Sequence, residues 1–261
     1  MCPLAGKVGL AMPQNRAAGE GAVTGRAVWG CAWGLRAWQG MAEGASRAYG
    51  GTFSGGFYAV QKEKETYAPI YKGSREERKI CLMINVYWGT EYVLPMAELF
   101  KKYNFNTTFF IGGSWAAANP DVVRKLSDMG FELGNHGYNH KNHKKLSKEE
   151  NKKEILVTER LLKEITGREP SRLFAPPSGE MGDNMNKVCD EYGYKVIMWT
   201  RDTVDWRDKN PSLTFSRAIK DLAAGDLILM HPTAHTLEAL PKILEYVKSS
   251  GFEAAAVSDV I

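Results

Sequence analysis

The stretch GFELGNHGYNH, residues 130–140, places two histidines directly behind an apolar segment, and the prediction of the fold starts from it. Residues 130–134 have the pattern of a β-strand, and a turn containing Gly and Asn then carries His136 and His140. Because neutral imidazole is the commonest nitrogen ligand of zinc-like ions, this pair could bind one divalent cation. Two solvated loop histidines can have the same spacing, so the spacing alone does not distinguish them from a metal site. The rest of the sequence is needed for that distinction.

Apolar strand-like segments alternate with helical segments on both sides of this stretch. Asn119 and Pro120 are typical of a helix start, and the capping box SKEE, residues 147–150, opens a long helix that Gly167 closes. Seven βα-like units over about 190 residues predict an α/β fold with a parallel sheet, in the form of a (β/α) barrel. The predicted strands are residues 79–84, 106–111, 130–134, 172–175, 194–200, 226–230 and 252–257.

The first part of the chain differs in composition from the rest. Residues 1–60 hold 13 of the 26 glycines but no isoleucine and no aspartate, and they offer no sustained apolar period for a core. We therefore predict a flexible Gly/Ala-rich extension at residues 1–58, a linker at 59–77 and a folded domain at 78–261. Glycines and polar residues interrupt residues 27–41, so neither a clear secretory signal nor a transmembrane segment is predicted.

Charge and cysteine content argue against two further classes of protein. The formal net charge is +4, and the densest basic run, residues 141–153, is interleaved with glutamates, so no nucleic-acid partner is predicted. Four widely scattered cysteines without CxxC spacing argue against a disulfide framework and against a thiolate metal site.

Polar residues gather at the predicted carboxyl ends of five strands. In parallel barrels these ends share one rim, and the loops behind them build the working site. Each group has a structural explanation by itself, but their coincidence on one rim favours a metal-assisted active site. The groups are residues 85–91, His136 with His140, residues 175–179, residues 201–206, and His231.

In this order the motifs resemble those of the polysaccharide deacetylases with a NodB homology domain, also called carbohydrate esterase family 4. The resemblance covers about residues 78–258. HGYNH at 136–140 resembles the metal-binding element, and DTVDW at 202–206 resembles the element DxxDW. TFF at 108–110, LMH at 229–231 and the pair Pro177 and Gly179 resemble three further elements of the family.

The resemblance implies a deformed (β/α) barrel that removes N-acetyl groups from a polysaccharide such as peptidoglycan or chitin-like material. It implies a divalent metal, with zinc as the expected ion, on His136 and His140. His231 would be the catalytic acid, and Asp202 would order the site. An extracytoplasmic or cell-wall location is also implied. The expected substrate-binding residues are Trp88, Pro177, Ser178 and Trp206.

The chain departs from the family at the end of the first strand. Where the family has TFDDG, this chain has NVYWG at residues 85–89, so Tyr87 replaces the base Asp and Trp88 replaces the metal-ligand Asp. Ala175 replaces the Arg that holds the base, and Ser178 replaces the usual Tyr. The base, its tether and part of the metal shell are therefore absent together.

Two hypotheses follow from this combination. In the favoured one, the chain is a metal-dependent de-N-acetylase in which Glu91 takes over the duty of base or ligand and His231 protonates the departing amine. Glu91 also stands where a helix N-terminus favours an acidic residue. In the alternative, the fold survives as a catalytically impaired carbohydrate-binding pseudoenzyme, because two histidines without a carboxylate hold metal weakly and lack the general base.

Overall fold

The computed structural model describes residues 68–261, which contain one curled sheet of short parallel strands surrounded by helices. Along the sheet the order is β5, β4, β3, β2, β1, β7, β6, with β8 paired beside the start of β1. This confirms the predicted deformed (β/α) barrel with about seven parallel strands. The strands are β1 Lys79–Val86, β2 Thr108–Ile111, β3 Glu132–Asn135, β4 Leu173–Phe174, β5 Lys195–Val196, β6 Arg201–Asp202, β7 Leu227–Met230 and β8 Glu253–Ala254.

The extended segment of residues 195–202 pairs with both ends of this strand order. Its start, β5, pairs with β4, and its end, β6, pairs with β7. Between them Ile197 forms a parallel bridge with Ile70. The sequence predicted a single strand at residues 194–200. Within that range the structure has only the short strand β5, and β6 follows the range at Arg201–Asp202, because the segment changes partners where the sheet curls round.

Helices follow the strands and cover the outside of the sheet. The capping box at Ser147 and Glu150 is formed, and Gly167 ends that helix in a left-handed conformation, as predicted. The helices are α1 Thr90–Lys102, α2 Gly113–Ala118, α3 Pro120–Asp128, α4 Lys148–Thr166, α5 Asp183–Tyr192, α6 Asp205–Asp208, α7 Pro211–Ile219, α8 Ala234–Ser249 and α9 Val257–Val260. None of the helices in this described part of the chain combines the length and the apolar character needed to cross a membrane.

The central strand β1 buries side chains on both faces. Ile80, Leu82 and Ile84 pack in the outer core against the helices, whereas Cys81 and Met83 point into the inner core with residues of β2 and β7. Strands that are covered on both faces have continuous apolar runs, and this accounts for the sequence of β1. The packed inner core therefore lies beneath the strand-end loops and supports them.

The folded domain begins earlier than residue 78. The backbone N–H of Ile70 donates to the carbonyl of Val196, Gly73 donates to Gly225, and Lys72 forms an ion pair of 3.3 Å with the buried Asp226. The second half of the predicted linker is therefore part of the domain, since its backbone groups are bonded to the sheet. The predicted extension at residues 1–58 and the first half of the linker lie outside the described residues.

Candidate active site

A cavity of about 440 Å³ opens at the carboxyl ends of the strands, as the rim argument predicts. It brings together side chains from the loops behind β1, β3, β4, β6 and β7, which are far apart in the chain. The lining residues are Asn85, Trp88, His136, His140, Ser178, Trp199, Asp202, Trp206, Leu229 and His231.

His136 is held in one orientation at the end of β3. Its Nδ1 lies 2.7 Å from the carbonyl oxygen of Ala175, so Nδ1 carries the proton and donates. Burial, reinforced by the neighbouring His140, lowers the pKa of His136 to about 3, so the ring is neutral at physiological pH. Nε2 forms no hydrogen bond within residues 68–261, and this nitrogen is therefore available to a ligand in the cavity.

His140 stands on a turn that helix α4 holds in place. The carboxylate of Glu154 accepts hydrogen bonds from the backbone N–H groups of Tyr138 at 2.8 Å and Asn139 at 2.6 Å. His140 itself has a positive φ of 53°, an uncommon conformation for a residue other than glycine. Its ring centre lies 5.1 Å from that of His136, and burial lowers its pKa. The turn therefore presents two neutral imidazoles side by side.

These two nitrogens do not complete the donor set of a resident zinc ion. Catalytic zinc sites use three protein ligands. Among residues 68–261 no group of three or more His, Cys, Asp or Glu side chains is placed to share a metal. His136 and His140 could supply two ligands, but the position that the family resemblance assigns to a carboxylate ligand is occupied by Trp88.

Two aromatic residues occupy the end of β1 in place of the family's two carboxylates. The ring of Trp88 stacks on His231, with 5.4 Å between the centres and 11° between the planes. Tyr87 accepts a hydrogen bond of 2.8 Å from Ser114, and its ring centre lies 4.9 Å from that of His140. The site is therefore lined at this point by aromatic surface.

Gly89 brings the loop that carries Trp88 against the loop behind β7. Its φ is +70°, and a Cβ at this position would lie 1.9 Å from the carbonyl oxygen of Pro232. Only glycine permits this approach, which places Trp88 over the neighbouring His231.

Asp205, and not Asp202, holds His231. The Nδ1 of His231 donates to Asp205 Oδ1 at 2.7 Å, while the His231 backbone N–H and the hydroxyl of Thr236 donate to Oδ2 at 2.7 and 2.6 Å. Burial opposes ionisation of this carboxyl, but the hydrogen bonds and charge of His231 hold the pKa of Asp205 below its usual value. The sequence predicted no functional role for Asp205, although it lies in the same DTVDW motif as Asp202.

Asp202 lies on the wall of the cavity with a local role in the backbone. Its Oδ1 accepts a hydrogen bond of 2.7 Å from the N–H of Val204, which adopts a positive φ of 53°. Asp202 therefore shapes the turn that leads into α6. The resemblance assigned the ordering of the site to Asp202, but the residue that orients His231 is Asp205.

The remaining predicted residues divide between the cavity and its surroundings. Trp206, 52% exposed, and Ser178 line the cavity with Trp88. Pro177 is buried beside them and is not among the lining residues. Glu91 is exposed in the first turn of α1, outside the cavity lining, so its position matches the interaction with a helix N-terminus. Glu91, which the favoured hypothesis names as the substitute carboxylate, therefore does not line the cavity.

The relatives of this chain include a named peptidoglycan deacetylase and a protein described as a CE4 family pseudoenzyme. The family model of the polysaccharide deacetylases matches residues 72–197. A peptidoglycan-N-acetylglucosamine deacetylase of Bacillus cereus is 30% identical over 176 residues, which are 65% of this chain and 82% of the relative. The uncharacterized protein YlxY of Bacillus subtilis is 33% identical over 203 residues, 78% of this chain and 63% of YlxY. The chain thus spans less than two thirds of YlxY.

Among solved structures, BA3943 of Bacillus anthracis, described as a CE4 family pseudoenzyme, aligns with a TM-score of 0.71 and 36% identity over 74% of this chain and 69% of that protein. A BA3943 mutant with restored enzymatic activity aligns equally well, with a TM-score of 0.71 and 34% identity over 74% and 71% of the two chains. With relatives at this identity and coverage, the chain belongs to the polysaccharide deacetylase family, carbohydrate esterase family 4.

Proposed function

We propose that this chain binds an N-acetylated polysaccharide of the cell wall in the rim cavity without hydrolysing it. The observation that carries this proposal is the position of Trp88, which stands in place of the metal-ligand Asp and lies flat on His231. An indole at this point offers no metal ligand, and it covers one face of the imidazole that would serve as the catalytic acid. The proposal is thus the pseudoenzyme alternative of the sequence analysis.

The carboxylates near the cavity support the absence of a general base. Asp205 is buried and accepts three hydrogen bonds from His231 and Thr236. Asp202 accepts a bond from Val204. Glu91 lies on the exposed side of α1. A general base contributes about 10²- to 10⁴-fold to such reactions, so without one hydrolysis would be slower by about that factor.

The exposed aromatic rings support glycan binding. Trp88 and Trp206 are 40% and 52% exposed at the cavity, and an exposed aromatic face is a suitable platform for the apolar face of a sugar ring. The names of the B. cereus and other relatives point to peptidoglycan, so we propose cell-wall glycan outside the cytoplasm as the partner.

A metal-dependent de-N-acetylase is the second candidate. It is favoured by the free Nε2 of His136 beside His140 and by the His231–Asp205 pair, which resembles an acid held by a carboxylate. A divalent ion, when bound, would polarise the acetamide carbonyl and acidify a water molecule. His136 and His140 would supply two ligands, and Asp205 would orient His231 for proton donation to the leaving amine.

Three measurements on the purified full-length chain distinguish the two candidates: metal content, acetate release and calorimetric binding of N-acetylglucosamine oligomers and peptidoglycan fragments. We expect glycan binding with neither stoichiometric metal nor acetate release. Trp206→Ala should weaken binding at least about tenfold, whereas Tyr246→Ala, at an exposed aromatic residue away from the cavity, should not. One equivalent of metal together with acetate release would instead establish the hydrolase.

A further inference from the structure

A second cavity, of about 380 Å³, opens at the amino ends of β2, β3 and β4, on the edge of the sheet opposite the rim. Its wall comes from the end of α3, the start of β3, and the end of α4 with the segment that follows it. The lining residues are Asn106, Ser127, Gly130, Phe131, Glu132, Leu133, Thr166, Arg168, Glu169, Pro170 and Ser171. None of them lines the rim cavity, so this cavity is a separate feature of the domain.

The carboxylates of this cavity already have partners within the domain. Glu132 accepts hydrogen bonds from the hydroxyls of Thr108 and Ser258. Glu169 forms an ion pair with Lys163. The two carboxylates are therefore bonded by the domain itself, and each places negative charge beside the cavity.

Three donors on the same wall are not fully bonded. Ser127 is only 6% exposed, yet its hydroxyl forms no hydrogen bond with any residue from 68 to 261, although buried hydroxyls nearly always have a partner. Arg168 uses Nη1 to donate to the carbonyl of Ser127 at 2.9 Å, and its Nε and Nη2 have no partner in the same range of residues. Asn106 Nδ2 has only a long contact of 3.5 Å, to the carbonyl of Gly130.

Backbone contacts bring these donors to one place. The Ser127 carbonyl that accepts from Arg168 also accepts from the N–H of Gly130 at 3.0 Å, and the carbonyl of Gly130 lies beside Asn106. The bond to Ser127 holds the guanidinium near the Ser127 hydroxyl, since both groups belong to one residue's surroundings. A Cβ at Gly130 would meet no atom within 4 Å, so the space over this residue is open. The cavity therefore combines a surplus of donors with open space.

We propose that this cavity binds the carboxylate end of a peptide. A carboxylate accepts through two oxygens, and these match the paired Nε and Nη2 of a guanidinium whose Nη1 is already bonded. The hydroxyl of Ser127 would donate a further bond. Phe131 and Pro170 supply apolar atoms beside the last side chain of the peptide. Glu132 and Glu169 disfavour a dianion such as phosphate, because like charges repel.

The test titrates N-acetyl-alanyl-alanine into the ¹⁵N-labelled full-length chain and follows the backbone amides by NMR. We expect saturable shifts at Gly130, Phe131 and Ser171, with a dissociation constant on the order of 1 mM, because the ligand is small. The C-terminal carboxamide of the same dipeptide should bind at least about tenfold more weakly, since it loses the charge-assisted bonds to Arg168. Inorganic phosphate at the same concentration should not displace the dipeptide.

Two variants locate the binding in this cavity. Arg168→Gln should weaken binding of the carboxylate at least about tenfold and remove its advantage over the carboxamide, and Ser127→Ala should weaken it about threefold. Arg160→Gln is the matched control and should leave the affinity unchanged, because Arg160 is an exposed arginine of α4 that does not line the cavity. Thermal unfolding of each variant shows whether it is folded.

Four results would each overturn the proposal: equal affinity for carboxylate and carboxamide, displacement by phosphate, shifts confined to Gly137 at the rim, or unchanged binding in a folded Arg168→Gln. The comparison of the two dipeptides needs no variant, so it decides the matter if Arg168→Gln does not fold. Glycan binding at the rim stands or falls separately, because the two cavities share no lining residue.

Discussion

At the scale of single residues, the Asp205 carboxylate joins three elements of the rim. It lies at the start of α6 and accepts bonds from His231 behind β7 and from Thr236 on α8. A buried carboxylate is tolerated only when such bonds replace its hydration. Asp205 therefore contributes to stability as well as to the orientation of His231.

Asp205→Asn should lower the free energy of unfolding at pH 7 by about 1–3 kcal/mol, because an amide cannot accept all three bonds. Urea denaturation measures the change. Asp202→Asn is the control, since an amide oxygen can still accept the bond from Val204, and a change within about 0.5 kcal/mol is expected there. Equal effects of the two substitutions would contradict the assignment of His231 to Asp205.

His136 should make the domain less stable in mild acid. Its folded pKa of about 3 lies below the ordinary histidine value of about 6.5, so between these values the unfolded chain binds the extra proton. Stability is then full above about pH 6.5 and falls by up to about 1.4 kcal/mol per pH unit as the pH drops towards 3. In His136→Asn, whose amide can still donate to Ala175, denaturation curves at pH 7, 6 and 5 should show a smaller slope. An unchanged slope would mean that His136 is protonated in the fold.

At the scale of elements, helix α4 controls the shape of the loop behind β3. Glu154, on the buried side of α4, binds two backbone N–H groups of this loop, and Lys141 lies 3.4 Å from its second oxygen. The loop contains no other regular structure between β3 and the turn at His143–Lys145. A single carboxylate thus accounts for much of the local order around His140.

Glu154→Gln should destabilise the domain by about 1–3 kcal/mol and weaken any ligand contact made by His140, because a neutral amide accepts the loop N–H groups less strongly. Thermal unfolding and glycan titration measure the two effects. Glu149→Gln changes an exposed residue in the first turn of the same helix and should alter stability by less than about 0.5 kcal/mol. Comparable losses in both variants would point to helix α4 in general and not to the loop.

At the scale of the whole molecule, three positions at two strand ends depart together from the pattern of the family. The family resemblance places the base at Tyr87, a metal ligand at Trp88 and the tether of the base at Ala175, on the loops behind β1 and β4. These positions act as a unit, so restoring one of them leaves the others missing. The BA3943 mutant with restored enzymatic activity belongs to a protein 34% identical to this chain.

The combined variant Tyr87→Asp, Trp88→Asp and Ala175→Arg should release acetate from N-acetylglucosamine oligomers at least about 10²-fold faster than any of the single variants. The rebuilt base needs the guanidinium to orient it, and the metal needs its carboxylate ligand. Adding His231→Ala to this background should abolish the gain. If the combined variant folds and binds metal but releases no acetate, these three positions are not sufficient to give this chain hydrolytic activity.

The contacts of residues 70–74 predict where the domain can be shortened. A chain of residues 59–261 should keep the melting temperature of the full chain, because the predicted core elements all follow residue 68. A chain of residues 78–261 should melt at least about 2–4 °C lower, since it loses the bridge of Ile70 to Ile197 and the ion pair of Lys72 with Asp226. Scanning calorimetry compares the three forms. If both shortened chains have the same melting temperature, the folded domain begins at residue 78, as the sequence predicted.

The sequence by itself determined the elements and the rim of this protein. Apolar runs, the capping box at Ser147 and the terminal Gly167 act through neighbouring residues, so local patterns predict the strands and helices well. The sequence also predicted the rim, because the carboxyl ends of parallel strands share one edge of the sheet. This arrangement brings His136, His140 and His231 together.

Only the tertiary structure decided which polar groups meet within that rim. Asp202 and Asp205 stand in one motif, and the turn at Val204 selects Asp205 for His231. The approach of Gly89 to Pro232 lays Trp88 on the same histidine. These outcomes depend on contacts between residues more than 20 positions apart. No local pattern encodes them, because packing of whole elements fixes the distances.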